Sequence, residues 1–592
     1  MHPTRTQLRR WLVTLAVLAL VAGACTAGDD ADVAGTDAPD DGPDAAAPEA
    51  TADTAPAAGG TIVWAHEQEP AVLNPTIAEG NLRVNAQIAL AVLLPLWVTT
   101  PDFTYEPTHL LEGATPADAD AEQFHVAYAL NPDADWSDGE PIRARDVLYT
   151  LEVCLDPEAD ITSRAGCDEV DMERTAAELD PDAKEITVYF HEVFAPWQTL
   201  FSNPGQVILP SHVFGEETLG EAWNSTWADG IVDPGSGEPI ASGPFMFDSW
   251  DRGLQLDVVR NDHFAGDPAH LDRVVYRFIP DTDTMVQQLR GGEIDVMDPQ
   301  PQIDLVEQIE SIDAVALQTE VGENYEILQI QHAHPLLGER WMREAIGRAL
   351  DRDAFIEQFI LPINPDAEPL DSLVFVSNHP GYENHLEPHI GYDPERSREL
   401  LTEHCEQGDD GIYECDGERA SFDWSTTAGN ERRELFFEFA QQQLQEVGIE
   451  VNPDIGEPAV VFGTFFEGDF DLFNLAFVGE PDPDANVELF GCFAAEDDRT
   501  APGEDYGFQN YHGFCPDDEV TQTLIDTSYE LDPDARIALM NTAGAALAED
   551  IPILPLYQLP FILAHRDGFA GLQLNPSQWG TVWNIAEWRQ SA

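Results

Sequence analysis

Short stretches in which apolar and polar residues alternate recur along the body of the chain. The segment TIVWAH (61–66) is rich in β-branched and aromatic residues, and FHVAYAL (124–130) has a large apolar residue at every second position. A period of two is typical of half-buried strands. The other segments with this character are EITVYF (185–190), LQLDVVR (254–260) and VVYRFI (274–279).

Two longer segments have helical periodicity instead. Apolar residues recur three and four positions apart in MREAIGRALDRDAFIEQFI (342–360) and in RRELFFEFAQQQLQEVG (432–448), and Gly448 predicts the end of the second helix. DPERSRELL predicts a helix start, with Asp393 as the N-cap and Pro394 in the first turn. Strands and helices are mixed throughout, which predicts a mixed α/β fold.

The N-terminus has the pattern of an export signal. Basic residues precede an apolar run from Trp11 to Ala22, and small residues then lead directly to Cys25. The run is too short to span a membrane and is typical of a signal peptide. We therefore expect the body of the protein to lie outside the cytoplasm.

The sequence VAGAC around Cys25 resembles a bacterial lipobox, in which the cysteine is lipidated and becomes the first residue of the mature chain. Ala22 stands where that pattern prefers Leu, so an ordinary secreted protein is the alternative. The pair Arg9-Arg10 leaves open whether export uses the twin-arginine route. Residues 26–59 contain no aromatic residue and almost no bulky aliphatic one, which predicts a flexible acidic linker between membrane and body.

The charge of the chain restricts its partners. The 592 residues include 111 Asp and Glu against 27 Lys and Arg, giving a formal net charge of −84, and Lys184 is the single lysine. Such a surface repels phosphate backbones, which excludes nucleic acid as a partner. The acidity suits a soluble protein in a salty medium, with a specific cationic ligand as the alternative.

The cysteines support the same compartment. If Cys25 carries lipid, six remain, and they fall into pairs that are close in sequence. No CxxC pair is present, so disulfides in an oxidising compartment are favoured over a metal site. The predicted pairs are Cys154 with Cys167, Cys405 with Cys415, and Cys492 with Cys515.

Several motifs, taken in order, resemble the extracellular solute-binding protein family 5, the peptide and nickel binders of ABC importers. The resemblance covers roughly residues 60 to 592 and rests on the shared order of the motifs. They are GGTIVWAHEQEPAVLNP, AYALNPDADWSDGEPIRARDVLYTLE, ASGPFMFDSWDRG, VVRNDHFAGDPAHLDRVVYRFIPD, GGEIDVMD, NYEILQIQHAHP, WMREAIGRALDRDAF, GYDPERSRELL, LQEVGIEV, GDFDLFNLAFVGEPDPD and PILPLY.

The resemblance implies a two-lobed periplasmic-binding-protein-like fold of class II type, with a hinge and an extra subdomain in the first lobe. Ligand is buried when the lobes close. The implied divisions are a signal peptide (1–25), a linker (26–59), a first segment of lobe I (60–103), an inserted subdomain (104–236), a second segment of lobe I (237–328), lobe II (329–558) and a C-terminal segment of lobe I (559–592).

The resemblance also implies where the ligand is held. Peptide-binding members hold the peptide ammonium with an acidic residue in the segment matching FVGEPDPDANVELF, which makes Glu480 or Asp482 the candidate, with a solvated acidic loop as the alternative. The remaining candidates for lining the site are Asn81, Leu82, Arg83, Gln331, His332 and Phe477.

The expected function is capture of oligopeptides or dipeptides and delivery to the permease of an ABC importer, by a monomer without a cofactor. An oligosaccharide or nickel-chelate binder of the same family is the alternative. His332 and His334 could hold a metal from a strand end, yet they lack a third ligand. No hydrolase motif is present, although a glycosidase carboxylate pair leaves no linear signature, which keeps a secreted hydrolase as a distant alternative.

Overall fold

The computed structural model describes residues 59–591, except 158, 160, 162–163, 165, 215–222, 224–226, 228–229, 480–481, 483–484, 496–497, 504 and 508. Strands and helices are mixed along this chain, so the predicted fold class is confirmed. Within the described ranges, no helix has both the length and the apolar character needed to cross a bilayer.

The strands are, in chain order, β1 (Thr61–His66), β2 (Trp97–Thr99), β3 (Tyr105–Pro107), β4 (Leu111–Pro116), β5 (His125–Leu130), β6 (Glu185–Tyr189), β7 (Phe245–Asp251), β8 (Gln255–Arg260), β9 (Arg273–Phe278), β10 (Val296–Met297), β11 (Val315–Ile330), β12 (Glu406–Gln407), β13 (Tyr413–Cys415), β14 (Glu418–Arg419), β15 (Ser421–Thr427), β16 (Glu450–Gly456), β17 (Leu472–Phe477), β18 (Cys492–Ala495), β19 (Asp498–Pro502), β20 (Asp505–Tyr506), β21 (Ile553–Arg566), β22 (Phe569–Ala570) and β23 (Arg589–Gln590).

The α-helices are α1 (Arg83–Val92), α2 (Ala144–Leu155), α3 (Met172–Ala177), α4 (Ser211–Phe214), α5 (Thr282–Gly291), α6 (Leu305–Glu310), α7 (Arg340–Ala349), α8 (Arg352–Phe355), α9 (Glu387–Ile390), α10 (Pro394–His404), α11 (Glu431–Val447), α12 (Pro458–Phe466), α13 (Ala485–Phe490), α14 (Asp518–Thr527) and α15 (Pro533–Asp550).

One ten-stranded sheet runs through the molecule in the order β16-β15-β17-β11-β21-β10-β1-β9-β8-β7. The long strands β11 and β21 pair antiparallel at its centre, from Val315 opposite Arg566 to Gln329 opposite Ile553. The pairing register of these two strands shifts between Val321 and Tyr325. This irregularity lies in the centre of the sheet rather than at an edge.

The buried apolar residues divide on either side of this interruption. One core draws on residues 62–278, on Val296 and on residues 561–588, and we call that region of the chain the first lobe. A second core draws on residues 327–559, which we call the second lobe. A smaller cluster joins α5 and α6 to β1, β10 and β21 on the side of the first lobe.

Most of the local predictions are confirmed. The five predicted strands correspond to β1, β5, β6, β8 and β9. The Asp393 side chain accepts a hydrogen bond from the Arg396 amide at 2.9 Å and caps α10, whose first residue is Pro394. Helix α11 ends at Val447, and Gly448 takes the left-handed conformation at φ 96° that ends the helix without a Cβ clash.

The helical character predicted for 342–360 is confirmed, but the segment is divided into two helices. Helix α7 ends at Ala349, and the Asp351 side chain then accepts a hydrogen bond from the Ala354 amide at 3.0 Å. This N-cap begins α8, which continues as a π-helical turn over Ile356–Ile360. The Asp351 cap therefore starts a new helix, although the apolar periodicity of the sequence continues through this point.

The three predicted disulfides are present, joining Cys154 to Cys167, Cys405 to Cys415 and Cys492 to Cys515. Each closes a short loop, with the paired cysteines 13, 10 and 23 positions apart respectively. Cys25 and the predicted linker before Gly59 lie outside the described residues.

Candidate functional site

The two lobes meet where β11 and β21 lose register, and we call residues 321–325 and 558–560 the hinge. A Cβ atom at Gly322 would lie 2.8 Å from the Leu559 carbonyl oxygen, so only glycine permits this approach. The Gln558 amide donates to the Gly322 carbonyl at 2.7 Å and accepts from the Ser377 amide at 2.7 Å. The Gln558 side chain therefore links the loop that contains Ser377, in the second lobe, to the hinge.

Backbone segments from both lobes converge on the hinge. The Glu323 amide donates to the Pro576 carbonyl of the first lobe at 3.0 Å, and the Glu323 carbonyl accepts from Gly479 of the second lobe at 3.1 Å. The Asn378 side chain donates to the Val321 carbonyl at 2.6 Å. Gly479 begins the predicted acidic loop, so that loop starts at the junction of the lobes.

The lobes also touch away from the hinge. Phe103 of the first lobe adopts φ 56°, and its ring lies 4.5 Å from the imidazole of His379 in the second lobe. The Ala195 amide donates to the Ser528 carbonyl at 2.8 Å, again between the lobes. Burial lowers the pKa of His379 to about 4, so this imidazole is neutral at pH 7. The two lobes are therefore in direct contact outside the hinge as well.

A buried charge cluster lies in the second lobe beside the hinge. Arg433 donates through Nε to both Glu326 carboxylate oxygens, at 3.1 and 3.0 Å, and Arg432 donates through Nη2 to Glu326 at 3.0 Å. Arg432 also donates to the Pro301 carbonyl, between β10 and α6, at 3.3 Å. Burial alone would raise the pKa of Glu326, and the charges of Arg433 and Arg432 outweigh burial and hold that pKa below its usual range.

Arg83, Leu82 and Asn81 all lie in the first lobe. Arg83 lies 3.2 Å from the buried carboxylate of Asp298, and its guanidinium lies 4.8 Å from the centre of the Phe561 ring on β21, close to the hinge. Leu82 packs against the first core, and Asn81 follows a short 3-10 turn. Arg83 therefore contacts a strand that crosses between the lobes.

Gln331 and His332 lie at the far end of β11, eight residues or roughly 26 Å of extended chain from Glu323. The Gln331 amide donates to the Gly468 carbonyl at 2.7 Å, and the His332 ring bonds the Pro552 carbonyl at 2.9 Å. Both side chains are therefore engaged by backbone of the second lobe. Both residues therefore lie away from the hinge, and their role in lining the cleft between the lobes stays a prediction.

His332 and His334, which were considered as metal ligands on a strand end, do not lie on a strand. Strand β11 ends at Ile330, so His332 and His334 both lie in the turn that follows. His334 accepts hydrogen bonds from the Leu336 and Leu337 amides, whereas His332 faces the Pro552 carbonyl. The described region of the chain holds no group of three or more His, Cys, Asp and Glu side chains placed for a metal ion.

The predicted acidic loop is only partly described. Glu480 lies outside the described residues. Both carboxylate oxygens of Asp482 accept from the Arg536 guanidinium, one of them at 2.6 Å, and about a tenth of each side chain is exposed. Phe477 ends β17 with its ring 6.3 Å from that of Tyr325 at the hinge. Local sequence carries no signal for the Arg536 partner, which comes from α15.

Residues 114–496 match the family described as bacterial extracellular solute-binding proteins, family 5 Middle. The chain is 25% identical to the oligopeptide-binding protein OppA of Mycobacterium tuberculosis (strain ATCC 25618 / H37Rv) over 601 residues, covering 95% of this chain and 92% of OppA. It is 28% identical to the oligopeptide-binding protein AppA of Bacillus subtilis (strain 168) over 258 residues, covering 42% of this chain and 44% of AppA, less than half its length.

Solved structures share the fold. The periplasmic EDTA-binding protein EppA superposes with a TM-score of 0.78 at 24% identity, over 91% of this chain and 97% of EppA. AppA of Bacillus subtilis, solved in complex with a nonapeptide, superposes with a TM-score of 0.70 at 21% identity, over 91% of this chain and 100% of AppA. The family match spans well over half of the chain and includes portions of both lobes and the hinge strand β11, so this chain belongs to the bacterial extracellular solute-binding proteins of family 5.

Proposed function

We propose that this protein is the substrate-binding subunit of an ABC importer, which captures oligopeptides or dipeptides between its lobes and delivers them to the membrane permease. The observation that carries the proposal is the likeness to OppA, which extends over 95% of the chain and so includes both lobes and the hinge between them. Family members are substrate-binding proteins, and a two-lobed binder encloses its ligand by closing about a hinge.

For the peptide ammonium we propose the loop that starts at Gly479. Asp482 is already paired with Arg536, so we assign its carboxylate a structural role in the loop. Glu480, which directly follows Gly479 in sequence, is the stronger candidate for the ammonium. Phe477 and Arg83 remain proposed contacts because both lie beside hinge strands, and Asn81 and Leu82 remain candidates through the turn that precedes Arg83.

We further propose that Cys25 carries a lipid that holds the protein at the outer face of the cell membrane. The linker of residues 26–59 then lets the body reach the permease. The proposed lobe I is assembled from 60–103, 237–328 and 559–592, with 104–236 as its inserted subdomain and 329–558 as lobe II.

The test is a thermal melt of the chain from residue 26 onward at moderately high salt, with peptides of graded length, oligosaccharides and nickel chelates. A ligand at a hundred times its Kd adds about 2.7 kcal/mol to the folded state, which a melt resolves. We expect peptides to raise the melting temperature and N-terminal acetylation to weaken that effect. A rise with sugars or chelates alone, or turnover of a chromogenic glycoside, would reject the peptide assignment.

A further inference from the structure

The contact between Phe103 and His379 joins two loops that belong to different lobes. Phe103 lies in the turn between β2 and β3, where its amide donates to the Thr100 carbonyl at 2.9 Å. His379 lies in the second lobe, in residues 371–382, which we call the His379 loop, and its amide donates to the Val376 carbonyl at 3.0 Å. Each ring is therefore carried by a turn of its own lobe, and the rings meet across the boundary between the lobes.

The His379 loop is attached to the hinge. The side chain of Asn378, directly before His379, donates to the Val321 carbonyl at 2.6 Å and accepts from the Gln558 amide at 3.0 Å. The Ser377 amide donates to the Gln558 side-chain oxygen at 2.7 Å. A rotation of the lobes about the hinge therefore moves the His379 loop with the second lobe and away from the first.

Aromatic rings from both lobes surround the imidazole of His379. Phe103 of the first lobe lies 4.5 Å away at 62°, and Phe375 of the second lobe lies 6.4 Å away at 76°. Within the described chain, the Nε2 atom of His379 is buried and has no hydrogen-bond partner. A buried ring nitrogen without a partner costs free energy that an apolar side chain would not, so packing alone does not explain a histidine here.

Few charges are available to stabilise an imidazolium at this position. The ionisable groups of the elements packed against His379 are Asp102 in the β2–β3 turn, Glu323 at the hinge, and Asp371, Tyr382 and Glu383 on the His379 loop. Asp371 is already paired with Arg352. Burial lowers the pKa of His379 to about 4, and within the described residues none of these groups is recorded as changing it.

Protonation of His379 therefore opposes contact between the lobes. Separation of the lobes exposes the ring to water, where its pKa returns toward the ordinary 6.5. As the pH falls from 6.5 to 4, the separated arrangement takes up a proton at His379 and the joined arrangement does not. Acid thus shifts the equilibrium toward separated lobes, whereas above pH 6.5 the ring is neutral in both arrangements.

We propose that His379 and Phe103 form a proton-sensitive latch between the lobes, which holds while His379 is neutral and opens when His379 is protonated. The proposal rests on the proposed function and adds acid-triggered release of the solute to it. Near neutral pH the latch supports enclosure of the solute, and in acid it opposes enclosure.

The first test measures binding by calorimetry at about pH 7.5 and about pH 5, with the peptide that gives the largest rise in the thermal melt. The wild-type Kd should increase about tenfold to thirtyfold on acidification. His379→Phe keeps an aromatic ring that cannot be protonated, so it should bind with near wild-type affinity at pH 7.5 and lose most of this increase. Other groups of the protein and of the peptide titrate alike in both proteins, so the difference reports on His379.

The matched control is His109→Phe. His109 also lies edge-on to a phenylalanine, with its ring centre 5.0 Å from that of Phe264, but both residues belong to the first lobe. The wild-type increase in Kd should persist in this variant. If His379→Phe does not fold, His379→Leu, which also cannot be protonated, takes its place.

The second test needs no peptide. Small-angle scattering should show a larger radius of gyration for the wild type at pH 5 than at pH 7.5, because the lobes separate. The radius of His379→Phe should stay constant between the two values. Circular dichroism at both pH values identifies unfolding, which would enlarge both proteins alike.

The outcomes separate the two proposals. An equal increase in Kd on acidification for the wild type and His379→Phe overturns the latch and leaves peptide binding intact. Loss of the increase in His109→Phe also overturns the latch, because the effect is then not specific to the contact between the lobes. If no peptide binds at either pH, peptide binding is rejected and scattering decides: a wild-type radius that does not change with pH overturns the latch.

Discussion

Phe103 lies edge-on against His379, with ring centroids 4.5 Å apart at an interplanar angle of 62°, and this pair joins the two lobes away from the hinge. Phe103 holds a left-handed backbone conformation and is 6% exposed, and His379 is also 6% exposed. A non-glycine residue in that conformation costs free energy, so surrounding contacts must hold Phe103 in place. The pair therefore stabilises the contact between the lobes.

Replacing Phe103 with alanine should weaken ligand binding without touching the charge cluster. Aromatic pairs contribute about 0.5–1.5 kcal/mol beyond burial, so we expect the Kd to rise about twofold to tenfold through faster dissociation. Stopped-flow and calorimetry measure both quantities. The control is Phe264→Ala, since Phe264 packs on His109 within the first lobe. An unchanged dissociation rate in Phe103→Ala would show that the contact does not govern closure.

Arg343→Lys should destabilise the second lobe strongly. The buried Arg343 guanidinium donates to the Leu337, Gly338 and Ile551 carbonyls at 2.9, 2.8 and 2.9 Å, and burial lowers its pKa to about 10. A lysine ammonium cannot reach this spread of acceptors, so we expect a loss of about 3 kcal/mol in unfolding free energy.

Denaturant unfolding measures the effect of Arg343→Lys. The control is Arg398→Lys, because Arg398 is exposed and contacts only the Glu446 carbonyl, at 3.4 Å, among its recorded hydrogen bonds in the described chain. Similar losses in both variants would contradict a special structural role for Arg343.

Acid should destabilise the protein through His332. Burial, with a contribution from the charge of Arg343, lowers the pKa of His332 to about 4 from an ordinary 6.5. As the pH falls from 6.5 to 4, the unfolded chain takes up a proton at this residue and the folded protein does not. The folded state therefore loses about 3 kcal/mol across that window, and retains this stability above pH 6.5.

His332→Gln removes this titration while keeping a donor for the Pro552 carbonyl. We expect the unfolding free energy of His332→Gln to fall less between pH 6.5 and 4 than that of the wild type, when both are followed by urea titration. The carboxylates titrate alike in both proteins, so the difference reports on His332 itself. Parallel pH profiles would refute the prediction.

Cys25→Ser should release the protein from the membrane. If Cys25 carries the lipid, the serine variant loses its anchor, and the protein moves from the membrane fraction to the soluble extracytoplasmic fraction. Fractionation with immunoblotting measures this distribution, and Cys405→Ser is a control that alters a disulfide instead. A membrane-bound Cys25→Ser protein would be inconsistent with lipidation at this residue.

Features that depend on near neighbours in the chain were predictable. The strand at 61–66 follows from its β-branched and aromatic composition, and the end of α11 follows from Gly448. The Cys154–Cys167 bridge was predictable because its cysteines are only 13 positions apart in the sequence. In each case the interacting groups lie within one element or one short loop, so local sequence contains the information.

Contacts between distant regions of the chain were not predictable in the same way. Asp482 was a candidate for the ligand ammonium, yet α15 brings Arg536 to it across 54 residues. Gln331 was a candidate for the cleft, and its side chain donates to the Gly468 carbonyl, 137 positions further along the chain. Nothing near either residue in the sequence identifies these partners.

The sequence by itself determined the fold class, the disulfide pairs and, through an ordered set of motifs, the family. The tertiary structure alone decided that the strands crossing between the lobes lose register at Gly322 and that Arg432 and Arg433 share the single carboxylate of Glu326. The reason is physical: periodicity and capping act over a few residues, whereas charge balance in a buried cluster depends on which distant elements pack together.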